Sequence, residues 1–165
     1  MQEIEIRQLG AQDLPVFQAL RLESLRLAPW AFGNRFEDWA QLPEALWLER
    51  LKTPVFALFL AGEPCGLMGL LPQSGARKCH RATLVMVYLR QSARGAGLAD
   101  RLLRHVLDYA KAAGHWQIEL NVAEDNPRAI AFYERFGFTR YGRLPAAFLE
   151  EGEGKAELLM LLQMR

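Results

Sequence analysis

The chain has 165 residues, 51% of them hydrophobic, which is enough for one compact domain with a sizeable core and hardly enough for two. Residues 1–165 are therefore expected to form a single domain. With 20 basic and 19 acidic residues the net charge is +1, and so balanced a surface makes no electrostatic case for nucleic acid or an anionic membrane.

In chain order, residues 3–8 alternate polar and apolar and predict a first strand. Asp13 can cap a helix that enters at Leu14-Pro15 and runs to about Leu27, with Val16, Leu20 and Leu27 at helical spacing. An aromatic-rich irregular stretch from Ala28 to Trp39 precedes a second helix over Pro43 to Leu51. Val55 to Leu60 and Gly66 to Leu71 are short apolar runs joined by Ala61-Gly62-Glu63-Pro64-Cys65, a hairpin signal. Residues 72–78 connect to a strand over 82–89, and Leu98, Leu102, Val106 and Ala110 form one stripe of a helix over 98–113 that Gly114 ends. A strand over Trp116 to Val122 follows, then a short helix, then strands near 138–144 and 155–164 with Glu151-Gly152-Glu153-Gly154 as their turn. This order predicts an α/β (α+β) domain, a central twisted mixed β-sheet with helices on both faces.

The most informative residues are Arg94-Gly95-Ala96-Gly97-Leu98-Ala99, between a strand and a helix. A strand that ends in a small-residue turn and opens a helix is a place to bind phosphate, because glycines admit the ligand to backbone N–H groups and the helix N-terminus adds partial positive charge. The dinucleotide fingerprint fails here, with only Gly95 and Gly97 present, and the nucleoside-triphosphate loop fails because no Lys follows Gly97. A second string, Asn126-Pro127-Arg128-Ala129-Ile130-Ala131-Phe132-Tyr133-Glu134-Arg135-Phe136-Gly137-Phe138, reads as a self-contained helix. Asn126 suits the N-cap, Pro127 the first helical position, and Gly137 the left-handed position past the end.

Arg94 to Ala99 matches R-x-x-G-x-A, and Asn126 to Phe138 matches N-x-x-A-x-x-x-Y-x-x-x-G-F. Together, and in this order, they resemble the two signatures of the GNAT acetyltransferase superfamily; the resemblance covers about Phe56 to Arg165 well and the segment before it loosely. It implies a GNAT-like acyl-CoA N-acyltransferase fold and acetyl-CoA as co-substrate. It also implies that backbone amides of Arg94, Gly95, Ala96, Gly97, Leu98 and Ala99 hold the coenzyme pyrophosphate. Val87, Tyr88 and Leu89 would pair with the pantetheine arm as though it were another strand, the Tyr88 amide acting as oxyanion donor; the alternative is ordinary ladder pairing. Tyr133 matches the family tyrosine near the coenzyme sulfur and would be the general acid, the alternative being simple packing beside Phe132 and Phe136. Asn121, Asn126, Arg128 and Ala129 are the remaining coenzyme contacts it implies.

The expected function is transfer of acetyl from acetyl-CoA to the primary amine of a small molecule by direct attack in a ternary complex. The alternatives are a protein or peptide N-terminal acetyltransferase, or a non-catalytic acyl-CoA-binding regulatory module. Trp30, Phe32, Phe36 and Glu37, together with a C-terminal turn near Pro145 to Phe148, are the acceptor-binding candidates; for each aromatic the competing reading is core beneath a loop. Glu119, Glu37 and His80 are candidates for the general base, none preferred, since some family members carry a carboxylate where this chain has Thr83. Cys65 and Cys79 have no metal-ligand spacing with each other or with His80, His105 or His115, so no metal is expected and the thiols read as reduced, in a cytoplasmic protein. No apolar run reaches the ~18 residues of a membrane span. The acidic, alternating start does not read as a signal peptide. The exposed sheet edge and the C-terminal strands make a homodimer a possible assembly.

Overall fold

Val55-Phe56-Ala57-Leu58-Phe59-Leu60 is apolar at every position, and a strand of that kind needs cover on both faces. The computed structural model, which describes residues 1–165, shows how it gets it. Seven strands form one sheet in the order β1-β2-β3-β4-β5-β7-β6, namely β1 (Ile4–Gln8), β2 (Val55–Leu60), β3 (Glu63–Pro72), β4 (Arg81–Leu89), β5 (Gln117–Ala123), β6 (Thr139–Glu150) and β7 (Glu153–Gln163). The β4–β5 pair is parallel and every other neighbouring pair is antiparallel. Helices α1 (Leu14–Leu27), α2 (Phe36–Ala40) and α3 (Glu44–Arg50) bring Phe17, Leu20, Trp39 and Trp47 against Val55, Ala57 and Phe59 on one face. Helices α4 (Leu98–Ala112) and α5 (Pro127–Arg135) bring Leu102, Val106 and Ile130 against Phe56 and Leu58 on the other. Burying each such Leu or Phe contributes about 1.5–3 kcal/mol, so β2 is the seam that joins the two cores.

The two-faced mixed sheet agrees with the sequence expectation; several connections do not. Ala61 and Gly62 both take positive φ, 51° and 83°, so a two-residue turn closes the β2–β3 hairpin and β3 starts at Glu63, earlier than expected. Glu151 and Gly152, at φ 51° and 83°, repeat that turn between β6 and β7. Pro145 to Phe148 is therefore no turn but part of β6. The register shifts between Leu144 and Phe148, and on this edge strand Pro145 sits where a missing N–H breaks no ladder. The stretch expected to be irregular up to Trp39 contains α2. Asp13 does not cap α1 with its side chain; its carboxylate accepts from the Gly10 N–H at 2.8 Å and pairs with Arg7 at 2.9 and 3.0 Å, which holds it below the usual carboxylate range.

The feature that shapes the site is in β4. It pairs with β5 only over Arg81–Thr83 against Gln117–Glu119, while β5 continues on β7 as far as Ala123. Beyond Thr83 the two parallel strands separate. On the β3 side, Leu67 opposes Tyr88 and Gly69 opposes Val85, so two steps on β3 match three on β4. The extra residue is accommodated by a bulge in which Met86 has a φ of +54°, a strained conformation for a side chain of its size. A Cβ at Gly69 would come within 2.6 Å of Met86 Cε and 3.0 Å of Val85 Cγ2, so glycine opposite leaves the bulge its room.

Candidate active site

Where β4 and β5 part, the structure has a cleft of about 760 Å³. Its walls are the end of β4 (Leu84 to Leu89), the start of α4, Asn121 and Val122 of β5, and the start of α5. Gly95 and Gly97 carry φ values of +84° and +72° and open space where a Cβ would sit. Gly97 is the left-handed residue from which α4 starts, and no side chain caps the helix. The backbone N–H groups from Gly95 through Asp100 consequently have no backbone acceptor. A run of free amides at the start of a 15-residue helix is a ready anion site, which fits a pyrophosphate. Arg94 braces the loop, its Nε donating to the Leu89 carbonyl at 3.0 Å. Arg94, Gly95, Gly97, Leu98 and Ala99 line the cleft, as do Val87, Tyr88 and Leu89; Ala96, expected among them, does not. The Leu98 side chain turns into the core.

Across the cleft, Asn126 caps α5 by accepting from the Ala129 N–H at 3.2 Å, with Pro127 following and Gly137 left-handed (φ +95°) past the helix end. Asn121, Asn126, Arg128, Ala129 and Tyr133 all face this space. Tyr133 is buried beside Phe132 (centroids 5.3 Å apart) and Phe138 (5.6 Å). Burial alone raises its phenol well above the usual range, so it keeps its proton at neutral pH. Tyr88 is held differently. Its hydroxyl donates to Glu23 Oε2 at 2.9 Å, and burial, reinforced by that carboxylate, pushes it up to about 12. Arg90 Nε meets the same carboxylate at 2.8 Å, so Glu23 ties α1 to the end of β4. Sequence reasoning missed both this clamp and the Met86 bulge, because they pair residues far apart in the chain.

The acceptor candidates divide between two spaces. Trp30 and Phe32 line the cleft. Phe36 and Glu37 do not; they line a neighbouring cavity of about 740 Å³ with Phe148 and the β6–β7 turn, and Phe32 is the wall common to both. The proposed bases lie outside the cleft. Glu119 is bound by Arg81, with contacts of 2.6 and 3.1 Å, at the closed end of the β4–β5 pair. His80 stacks on Trp116 at 4.7 Å, and Glu37 is 3.7 Å from Arg35.

Residues 20–138 match the model of the Acetyltransferase (GNAT) family. The chain belongs to the GNAT acetyltransferase family. Spermidine N(1)-acetyltransferase of Vibrio cholerae is 31% identical over 152 residues, which span 91% of this chain and 87% of that protein. N-alpha-acetyltransferase 30 of Schizosaccharomyces pombe is 40% identical over a shorter stretch, 42% of this chain and half (50%) of that protein. In three dimensions the chain resembles a GNAT-family acetyltransferase from Streptococcus pneumoniae (TM-score 0.85, 20% identity, 99% of this chain and 100% of that one). It also resembles yncA of Salmonella typhimurium, solved with its cofactor acetyl-CoA (TM-score 0.80, 19% identity, 99% and 95% covered). This GNAT protein is an acyl-CoA-dependent acetyltransferase with acetyl-CoA as co-substrate. No group of three or more His, Cys, Asp or Glu is placed to hold a metal, and no helix is long and apolar enough to cross a membrane.

Proposed function

We propose that this GNAT protein moves the acetyl group of acetyl-CoA to the primary amine of a small molecule, by direct attack with both reactants bound. The observation that carries this is one cleft holding the end of β4 whose β5-side edge is free, the amide run from Gly95, the Tyr133 phenol and the rings of Trp30 and Phe32. Acetyl-CoA supplies an acyl group already activated as a thioester. The amides after Arg94 hold the pyrophosphate, and the free edge of β4 at Val87 to Leu89 aligns the arm. The Tyr88 N–H expected as oxyanion donor is turned to β3, since Leu67 opposes Tyr88 and the Arg90 N–H donates to the Cys65 carbonyl at 2.8 Å. The Leu89 N–H, on the opposite edge of β4, donates to the acyl oxygen as negative charge builds there. Tyr133 gives its proton to the departing sulfur, a role suited to a phenol that burial keeps protonated. With Glu119, His80 and Glu37 outside the cleft, the amine's proton leaves through water. Fixing two reactants in one cleft supplies much of the rate by orientation.

A small acceptor is favoured because relatives matched along most of the chain act on small molecules, spermidine and L-methionine sulfoximine or sulfone, while the match to N-alpha-acetyltransferase 30 stops at 42% of it. The test follows coenzyme A thiol release across panels of small amines and N-terminal peptides. Turnover of small amines with intersecting initial-rate lines is the expected result. Parallel lines would overturn direct attack, peptide-only turnover would overturn the acceptor class, and acetyl-CoA binding without any turnover would leave a regulatory module. Tyr141, Leu144 and Leu149 stand exposed on the edge strand β6, a surface on which a second copy would pair; sedimentation of the wild type would then give the dimer mass.

A further inference from the structure

Arg21 is the one charged side chain sealed in the core without a partner. Only 1% of its surface is exposed, and both Nε and Nη1 are cut off from solvent with no hydrogen-bond partner. No carboxylate reaches it. Glu23, two residues on, is taken up by Tyr88 and Arg90, and Glu37 lies beside Arg35. Instead the guanidinium rests on two rings, Trp39 at 4.4 Å and Phe32 at 5.0 Å from their centroids. Burial, with Arg50 on the same Trp39 ring, lowers it to about 10, so it is still a cation at neutral pH. Cation–π contact is a weak substitute for an anion, and a buried charge left unpaired is among the costlier arrangements a core can hold.

Its position gives the charge a use. Phe32, which covers it, is the wall shared by the cleft and the neighbouring cavity, and Leu25, one helical turn further along α1, lines that cavity too. The cation therefore lies one aromatic ring away from the space where the acceptor sits. We propose that Arg21 anchors a carboxylate carried by the acceptor, reached when the Phe32 ring swings aside, so that this enzyme acetylates amino-acid-like amines in preference to polyamines. This rests on the acetyl-transfer reading above. A carboxylate would satisfy the nitrogens that now lack partners, whereas a polycation would meet an uncompensated charge of its own sign.

The experiment uses matched acceptors, L-methionine, L-phenylalanine and L-leucine, each against its decarboxylated amine, with spermidine as the polycation. It compares wild type with Arg21→Met, and with Arg21→Lys as the variant that keeps the charge. In the wild type, kcat/KM should favour the carboxylated member of each pair by about tenfold or more, the worth of a charge-assisted hydrogen bond. In Arg21→Met that ratio should fall to near one while the protein unfolds at the same or a higher temperature, because an unpaired buried charge has been removed. Arg21→Lys should keep part of the preference. Equal rates across the pairs in the wild type, spermidine turned over ahead of the amino acids, or a preference that survives Arg21→Met would each overturn the proposal. If acetyl-CoA itself fails to raise the unfolding temperature, the transfer reading falls. The Arg21 site is then judged alone, by whether L-methionine raises that temperature in the wild type and not in Arg21→Met.

Discussion

Strands β4 and β5 are one parallel pair with two unlike ends. At the start, three residues on each strand are in register and Arg81 is clamped to Glu119, which keeps only 12% of its side chain exposed. At the far end the same strands diverge, β4 bulges at Met86, and the free backbone opens on a cleft. The closed end uses its polar groups on itself. The open end leaves Tyr133 without an internal hydrogen-bond partner and the N–H groups after Arg94 without backbone acceptors, and that surplus is what a ligand can use. Substitutions at the open end should therefore cost function, and those at the closed end stability.

The largest effect is expected at Tyr133. If its phenol is the proton donor, Tyr133→Phe lowers kcat by ~10²-fold or more while the unfolding temperature stays within a few degrees of wild type; a loss of only a few-fold would reduce Tyr133 to packing. Next is Gly97→Val, which forces a β-branched residue to a φ of +72° where α4 begins. Strain of that kind should weaken acetyl-CoA binding by about ten- to a hundredfold. The stabilisation of about 2.7 kcal/mol that ligand at ~100 times its dissociation constant confers on the wild type should then fall to between about 1.4 and about 0.4 kcal/mol at the same ligand concentration. Thermal melts with and without acetyl-CoA read this directly, and an unchanged shift in a folded variant would remove the cradle.

At the closed end, Arg81→Ala strands the Glu119 carboxylate and should destabilise the domain by about 1–3 kcal/mol in urea titrations, with kcat changed by no more than a few-fold. The smallest effect is a pH dependence. Tyr88 is raised to about 12 from an ordinary value near 10, so at alkaline pH the unfolded chain gives up this proton before the folded one does. The folded state then binds more protons, and stability falls as pH rises from about 10 to about 12. Urea midpoints measured through that window should drop less steeply in Tyr88→Phe than in wild type.

Local signals carried much of the site. A positive-φ glycine, a capping Asn, a Pro at the first turn and a four-residue stripe are satisfied by neighbours in the chain, so Gly97, Asn126, Pro127 and Gly137 could be placed from sequence, with α4 and α5 around them. Where the backbone decides among distant partners the reading went astray. Asp13 looked like a cap and is Arg7's partner; Phe36 and Glu37 looked like part of one slot with Trp30 and face another cavity; Pro145 to Phe148 looked like a turn and belongs to a bulged edge strand.

The sequence by itself determined the periodicities, the two small-residue and aromatic motifs, and hence the family and its coenzyme, because each is written in contiguous residues that must fold locally in one way. Only the tertiary structure decided that β4 leaves β5 after Thr83, that Glu23 ties Tyr88 and Arg90, and that Arg21 is buried unpaired beneath Phe32. These depend on side chains tens of residues apart meeting at short distance. No local rule reports such meetings, because the free energy that fixes them is burial and pairing summed over the whole fold.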